Sequence, residues 1–314
     1  MNNFFKYFLT LLIFTFILLI FKYNYLLNAS VVMAVDLWLN KIFPSLFIMF
    51  ILNDIIINLG LFNNITNKFD NLFNKFFNIK NHALKVIILS IFSGTPTNAF
   101  IIKEMLNKKE ITIDDANKLI AYTYFSNPLF LYNILTVTFS LHTTLKIILI
   151  HYFTNFIIAF IFRFKVNKSS KSSVTSTNNT QRFNLSESIK KSMNTLIMIL
   201  GTITFYMVVT NIFAHTFNFN QIFTIILKGF LEITQGLNNL SVLSNVILKQ
   251  FLALSFISFG GLSIHTQVKC ILQEFDLDYK FFLKGRIFQL LIANSLLFLT
   301  ICTQTIIANI SIIS

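Results

Sequence analysis

The amino-acid sequence predicts an all-α, polytopic membrane protein whose two related halves contain broken or re-entrant helices. Three observations carry that prediction. Of 314 residues, 55% are hydrophobic and only 12% are charged, about half the charge of a soluble domain, and the mean hydropathy is +0.70. The basic residues, which raise the net charge to +13, sit mainly between apolar runs, the pattern of cytoplasmic loops rather than of a nucleic-acid surface. Short polar interruptions recur at matched places in the two halves. They read Ser93-Gly94-Thr95-Pro96-Thr97-Asn98 and Gly260-Gly261-Leu262-Ser263-Ile264-His265-Thr266-Gln267.

The elements follow in order. Residues 4–21 are apolar apart from Lys6 and are followed by Lys22, and they lack a small-residue cleavage site, so an uncleaved first helix is expected over 1–28. Residues 29–42, with Asp36, Trp38, Asn40 and Lys41, predict a helix lying in the interface with Trp38 at headgroup level. Phe43-Pro44-Ser45-Leu46 opens a span to about Leu59, with Pro in the first turn. Residues 61–82 alternate Asn and Lys with Phe and Leu, which suggests a second interfacial or re-entrant helix. The first interrupted segment covers 83–102. Thr112 and Asp115 cap the next helix start, and spans follow near 119–140 and 143–163.

Residues 164–190 form a flexible basic linker, rich in Ser, Thr and Asn. Arg163, Lys165, Lys168, Lys171, Arg182, Lys190 and Lys191 stand against Glu187, which makes this loop cytoplasmic. It divides a first repeat, 29–163, from a second, 191–314. The second repeat has a span near 191–213, an amphipathic segment over 217–236, an interrupted segment over 240–272 and a last span near 287–308. Lys103, Lys108, Lys109 and Lys118, and equally Lys280, Lys284 and Arg286, are expected at the cytoplasmic face.

Chemistry concentrates at the interruptions. An open backbone inside a bilayer must be packed in protein or line a wet cavity. The half-helix after each break presents its positive end, which suits an anion. Gly94 and Gly261 permit the turns, while Thr95, Thr97, Asn98, Ser263, His265 and Gln267 offer hydrogen bonds. Asn127 and Asn294 each follow the glycine of their break by 33 residues (127 − 94 and 294 − 261). Glu232, with Thr234 close by, is one of the few acids in apolar sequence, and an intramembrane carboxylate marks a cation, proton or substrate site unless Lys228 pairs with it. Asp54 invites the same argument. His265 is either a proton carrier or a structural hydrogen-bonding group. Cys270 and Cys302 have no redox or metal spacing, and no catalytic or nucleotide-binding motif occurs. No enzyme activity, metal or cofactor is expected.

The ordered motifs resemble a known family. Trp38…Phe43-Pro44-Ser45-Leu46, Ser93-Gly94-x-Pro96, Ser126-Asn127-Pro128-Leu129-Phe130, Leu231-Glu232-Ile233-Thr234-x-Gly236 and Gly261-Leu262-Ser263-Ile264-His265-Thr266-Gln267-Val268 are similar, over about residues 37–300, to the YlbJ family of sporulation integral membrane proteins. That family belongs to the nucleoside-recognition, or gate-domain, group related to concentrative nucleoside transporters. The resemblance implies a gate-like fold and the movement of dipicolinic acid across the outer forespore membrane of an endospore former. A small, flat dianion fits two half-helix ends lined by the residues above. The expected partners are this anion and the lipid bilayer, with H+ or Na+ as the candidate coupling ion and no nucleic acid. The rival expectations are a nucleoside or nucleobase transporter and a non-transporting scaffold for spore-envelope assembly.

Overall fold

The computed structural model describes residues 3–62, 68–69, 83–163 and 184–313. The predicted helix over 61–82 and the linker lie almost wholly outside the described residues. Within them every regular element is a helix. Six stretches are long and apolar enough to cross a bilayer: Asn3–Lys22, Asn24–Leu59, Leu141–Phe162, Leu185–Thr216, Val246–Ile271 and Tyr279–Ile306.

The chain starts with α1 (Asn3–Lys22), none of whose residues is buried, so its apolar surface is left to lipid. Helix α2 (Asn24–Leu37) runs through a π-turn (Trp38–Ile42) directly into α3 (Phe43–Leu59). This corrects the interfacial helix expected over 29–42. Trp38 is buried rather than at headgroup level, and its indole N–H donates to the Leu196 carbonyl at 2.9 Å. A deep indole needs such a partner. Pro44 sits in the first turn of α3, directly after the π-turn, a local adjustment that accommodates the loss of its N–H inside a continuous helical stretch.

After this entry, one order of helices occurs twice. The first round is a hairpin of α4 (Ala83–Ser93) and α5 (Thr97–Asn107), a broken helix of α6 (Ile113–Tyr122) and α7 (Pro128–Leu135), and the unbroken α8 (Leu141–Phe162). Helix α9 (Leu185–Thr216) then crosses back. The second round is a hairpin of α10 (Gln221–Leu231) and α11 (Ile233–Asn239), a broken helix of α12 (Val246–Phe259) and α13 (Gly261–Ile271), and the unbroken α14 (Tyr279–Ile313).

Three expectations change here. Residues 119–140 are not one span, because the backbone leaves the helix at 123–127. Asn127 caps α7 and Pro128 starts it, an N-cap followed by an N1 proline. Residues 217–236 are not one amphipathic helix, because Glu232 breaks them. The internal match also shifts. By order of elements, the Gly94 break corresponds to the Glu232 break, and the Ser126-Asn127 break to Gly260-Gly261, so the 33-residue coincidence paired the wrong members.

Charged connections gather at one end of the bundle. Lys103 pairs with Glu274 at 2.9 Å, and Asn117 Oδ1 accepts the Asp278 amide. Lys191 lies 3.6 Å from Glu104, and Ser188 donates to Asp54. Thr112 and Asp115 form a reciprocal capping box at the start of α6. Arg286 does not belong to this end as expected. It sits inside α14, wholly buried.

Packing between helices rests on small residues and close contact rather than on a hydrophobic drive, since lipid is as apolar as leucine. In the second hairpin a side chain added at Gly236 would strike the backbone of Gly229. That contact seats α11 against α10 and sets the angle of the hairpin tip.

Candidate functional site

The two rounds meet at their breaks. In the first, Gly94 holds φ +76°, and a Cβ there would run into the backbone of Asn127. The tip of the first hairpin therefore lies directly on the unwound stretch 123–127. The Thr95 amide donates to the Phe125 carbonyl at 2.7 Å, and its hydroxyl to the same oxygen at 3.1 Å. The Asn127 side-chain amide reaches the carbonyls of Phe92 and Ser93 at the end of α4, at 3.4 and 3.5 Å. Its Oδ1 accepts the Phe130 amide at 3.0 Å, so one side chain closes two helix ends.

The remaining open backbone is met by α8. His151 Nε2 accepts the Ser126 amide at 3.1 Å, the Tyr152 hydroxyl lies 2.8 Å from the Ser126 carbonyl, and Asn155 donates to the Tyr124 carbonyl at 2.7 Å. Each replaces a helical bond that water cannot replace in lipid. Among the histidines, the sequence alone singled out His265 and not His151. The signal that locates it is polar spacing, since His151 and Asn155 lie one turn apart in otherwise apolar sequence.

In the second round the Glu232 carboxylate caps α11. It accepts from the Thr234 hydroxyl and from the Gln235 amide at 2.9 Å. The carboxylate thus lies at the positive end of a helix. Ion pairs found among the described residues do not include a Lys228–Glu232 bond. Gly260 and Gly261 hold φ +90° and +66°. A Cβ on Gly260 would strike the Tyr124 hydroxyl of the other half, and one on Gly261 would lie 3.1 Å from the Ile233 nitrogen. The two broken helices therefore cross at Tyr124 and Gly260.

Between these breaks lies a half-open pocket, about 570 Å3 of space with its open mouth counted and about 60 Å3 of cavity. Thr95, Pro96, Ser126, Asn127 and Phe130 come from the first round, and Glu232, Thr234, Ile264 and Gln267 from the second. Ser45 and Leu46 of α3, with Ile199 and Ile203 of α9, form a further wall that sequence reasoning did not place.

The expected site residues divide accordingly. Thr95, Asn127, Glu232, Thr234 and Gln267 line this pocket. Gly94 and Gly261 shape it from behind. Thr97 and Asn98 are buried in α5, bonded toward Ser93 and Thr123. Ser263 is buried on α13 and is not part of the lining.

His265 also stands apart from the lining. Its Nε2 lies 2.9 Å from the Phe259 carbonyl and its Nδ1 2.5 Å from the Tyr279 hydroxyl. A carbonyl only accepts, so Nε2 carries the proton and Nδ1 accepts from Tyr279. That closes the end of α12. Asn294 is elsewhere. It donates to Ser255 at 3.0 Å within a shallow outer groove between α12 and α14. Asp54 stays near the charged end.

No family model matches this chain, and no solved structure matches it. Among curated proteins it is similar to the sporulation integral membrane protein YlbJ of Bacillus subtilis (strain 168), with 24% identity over 297 residues, 82% of this chain and 73% of that protein. The apolar helices and this relative agree on a multi-pass integral membrane protein. The similarity supports the assignment of the chain to the YlbJ family of sporulation integral membrane proteins.

Proposed function

We propose that this chain is a permease and not an enzyme: it passes a small organic anion, dipicolinate as first candidate, across the outer forespore membrane during sporulation. The similarity to a sporulation integral membrane protein supports a membrane role in sporulation. The observation that carries the transport reading is the pocket, which opens where helix breaks of both rounds face each other. Interrupted helices at a repeat interface are where secondary transporters hold their cargo. Helix α5 starts beside Thr95 and Pro96 with no side-chain cap; its first amides turn back to the Gly94 and Pro96 carbonyls, so what it offers a negative ligand group is the field of its positive end and not free N–H groups. Ser126 and Gln267 add neutral hydrogen-bonding groups, and Phe130 adds a ring face.

One observation favours a second reading. The carboxylate of Glu232 already occupies the start of α11 and stands in the pocket wall. A neutral ligand such as a nucleoside meets no like-charge repulsion there. Purified protein in liposomes separates the two. Uptake of labelled dipicolinate above that of labelled uridine supports the anion reading, and the reverse order supports the nucleoside. If neither enters, and a strain carrying Gln267→Ala makes spores with normal dipicolinate, the transport reading fails and a scaffold remains.

A further inference from the structure

Arg286 is wholly buried on α14, and no carboxylate among the described residues pairs with it. An uncompensated buried cation is costly, so its surroundings must supply negative potential in another form. Its Nη2 donates to the Ala121 carbonyl at 2.6 Å, and its Nη1 lies 3.5 Å from the Ser258 carbonyl and donates to Gln289 Oε1. The guanidinium carbon stands 3.9 Å from the centre of the Tyr124 ring, a cation–π geometry. Gly285 lets α14 come this near, since a Cβ there would strike the Ala121 carbonyl.

Ala121 and Ser258 are in the last turns of α6 and α12, the two half-helices that stop at the crossing. Each last turn carries the negative end of a helix dipole. The cation is thus clamped between two negative helix ends with an aromatic face beside it. From Arg286 the network runs outward. The Gln289 side-chain nitrogen donates to the His151 carbonyl at 3.3 Å, and His151 Nε2 accepts the amide of Ser126 in the pocket wall.

In secondary transporters, open carbonyls and half-helix C-termini of this kind are where Na+ or a proton binds. We propose that Arg286 is a built-in cation in that place: its guanidinium bridges the C-terminal ends of the two broken helices and holds their crossing without Na+. The planar fork suits the task because it reaches carbonyls of two different helices at once, whereas a lysine ammonium is a single point charge. The inference rests on the crossing and not on the identity of the substrate.

The test uses the full-length protein purified in detergent, with its melting temperature read in NaCl, KCl and choline chloride at equal ionic strength. Wild type is expected to melt at one temperature in all three. Arg286→Ala is expected to melt lower and to recover part of the loss when methylguanidinium is added, which leaves wild type unmoved. Arg286→Lys is expected between the two. The proposal is overturned if Na+ raises the melting temperature of wild type above its value in KCl and choline chloride. It is overturned equally if methylguanidinium fails to help Arg286→Ala selectively. Should Arg286→Ala not accumulate, Arg286→Lys decides, and melting as high as wild type sinks the idea. None of these readouts involves uptake, so failure of the permease reading leaves them intact.

Discussion

The break of the first broken helix is long and that of the second is short, and they are closed by different chemistry. Residues 123–127 unwind completely, and their amides and carbonyls are met from outside by His151, Tyr152 and Asn155 on α8. At Gly260-Gly261 the chain turns within two positive-φ residues, and the freed carbonyls are met by His265 and Arg286. The hairpin tips differ too. Thr95 leans on the Phe125 carbonyl of its neighbour, whereas Glu232 caps its own helix. A long break needs a dedicated polar face on an adjacent helix, while a short one needs glycine and two side chains. As a result the first half lends the pocket neutral groups and the second half lends it charge.

Glycine substitutions give the largest test of this contrast. Gly94→Ala forces a Cβ onto the Asn127 backbone in left-handed conformation and is expected to cost about 3–5 kcal/mol. Gly261→Ala, whose nearest obstacle is 3.1 Å away, is expected to cost about 1–2 kcal/mol. Thermal melting in detergent measures both, and equal losses would break the distinction between a crowded glycine and a less crowded one.

Next in size are two polar residues on one helix. Gln267 faces the pocket and His265 faces away from it. Gln267→Ala is expected to lower dipicolinate uptake about tenfold, one hydrogen bond's worth, and to lower melting slightly through its lost bond to the Thr202 hydroxyl at 3.0 Å. His265→Ala is expected to lower the melting temperature and leave KM alone. An exchange of these two phenotypes would move the site to the other face of α13.

Glu232→Gln sharpens the comparison of charge. It removes a carboxylate from a helix start, a loss of about 0.5–1 kcal/mol, while KM for an anion is expected to fall because like-charge repulsion goes. KM for a neutral solute is expected to stay constant. A higher KM for dipicolinate in this variant would assign Glu232 a direct, favourable contact with the ligand. The smallest effect is expected for Asn294→Ala. It loses one interhelical hydrogen bond, about 0.6 kcal/mol in membrane proteins, with uptake unchanged.

Much of this was legible from residues alone because it rests on local rules. Thr112 and Asp115 marked the start of α6 by their capping spacing, and Gly94 with Pro96 marked the first hairpin tip. Thr95, Asn127, Glu232, Thr234 and Gln267 were singled out because polar groups in apolar sequence require a partner. That they would share one site was the expectation; Ser45 and Ile199 in the pocket wall were not foreseen. His265 and Arg286 illustrate the limit. Both were conspicuous as residue types, but a buried hydrogen-bonding role and a solvent-facing one have the same sequence signature.

The amino-acid sequence by itself determined that this is a multi-pass helical membrane protein with interrupted segments. Hydropathy and the ban on open backbone in lipid act residue by residue. Only the tertiary structure decided which interruptions face each other and which side chains close them. It paired Gly94 with Asn127, and Gly260 with Tyr124. It set Arg286 between two helix ends 137 residues apart (258 − 121). Those partners are remote in the chain, and no local pattern encodes a hydrogen bond whose acceptor is supplied by another helix.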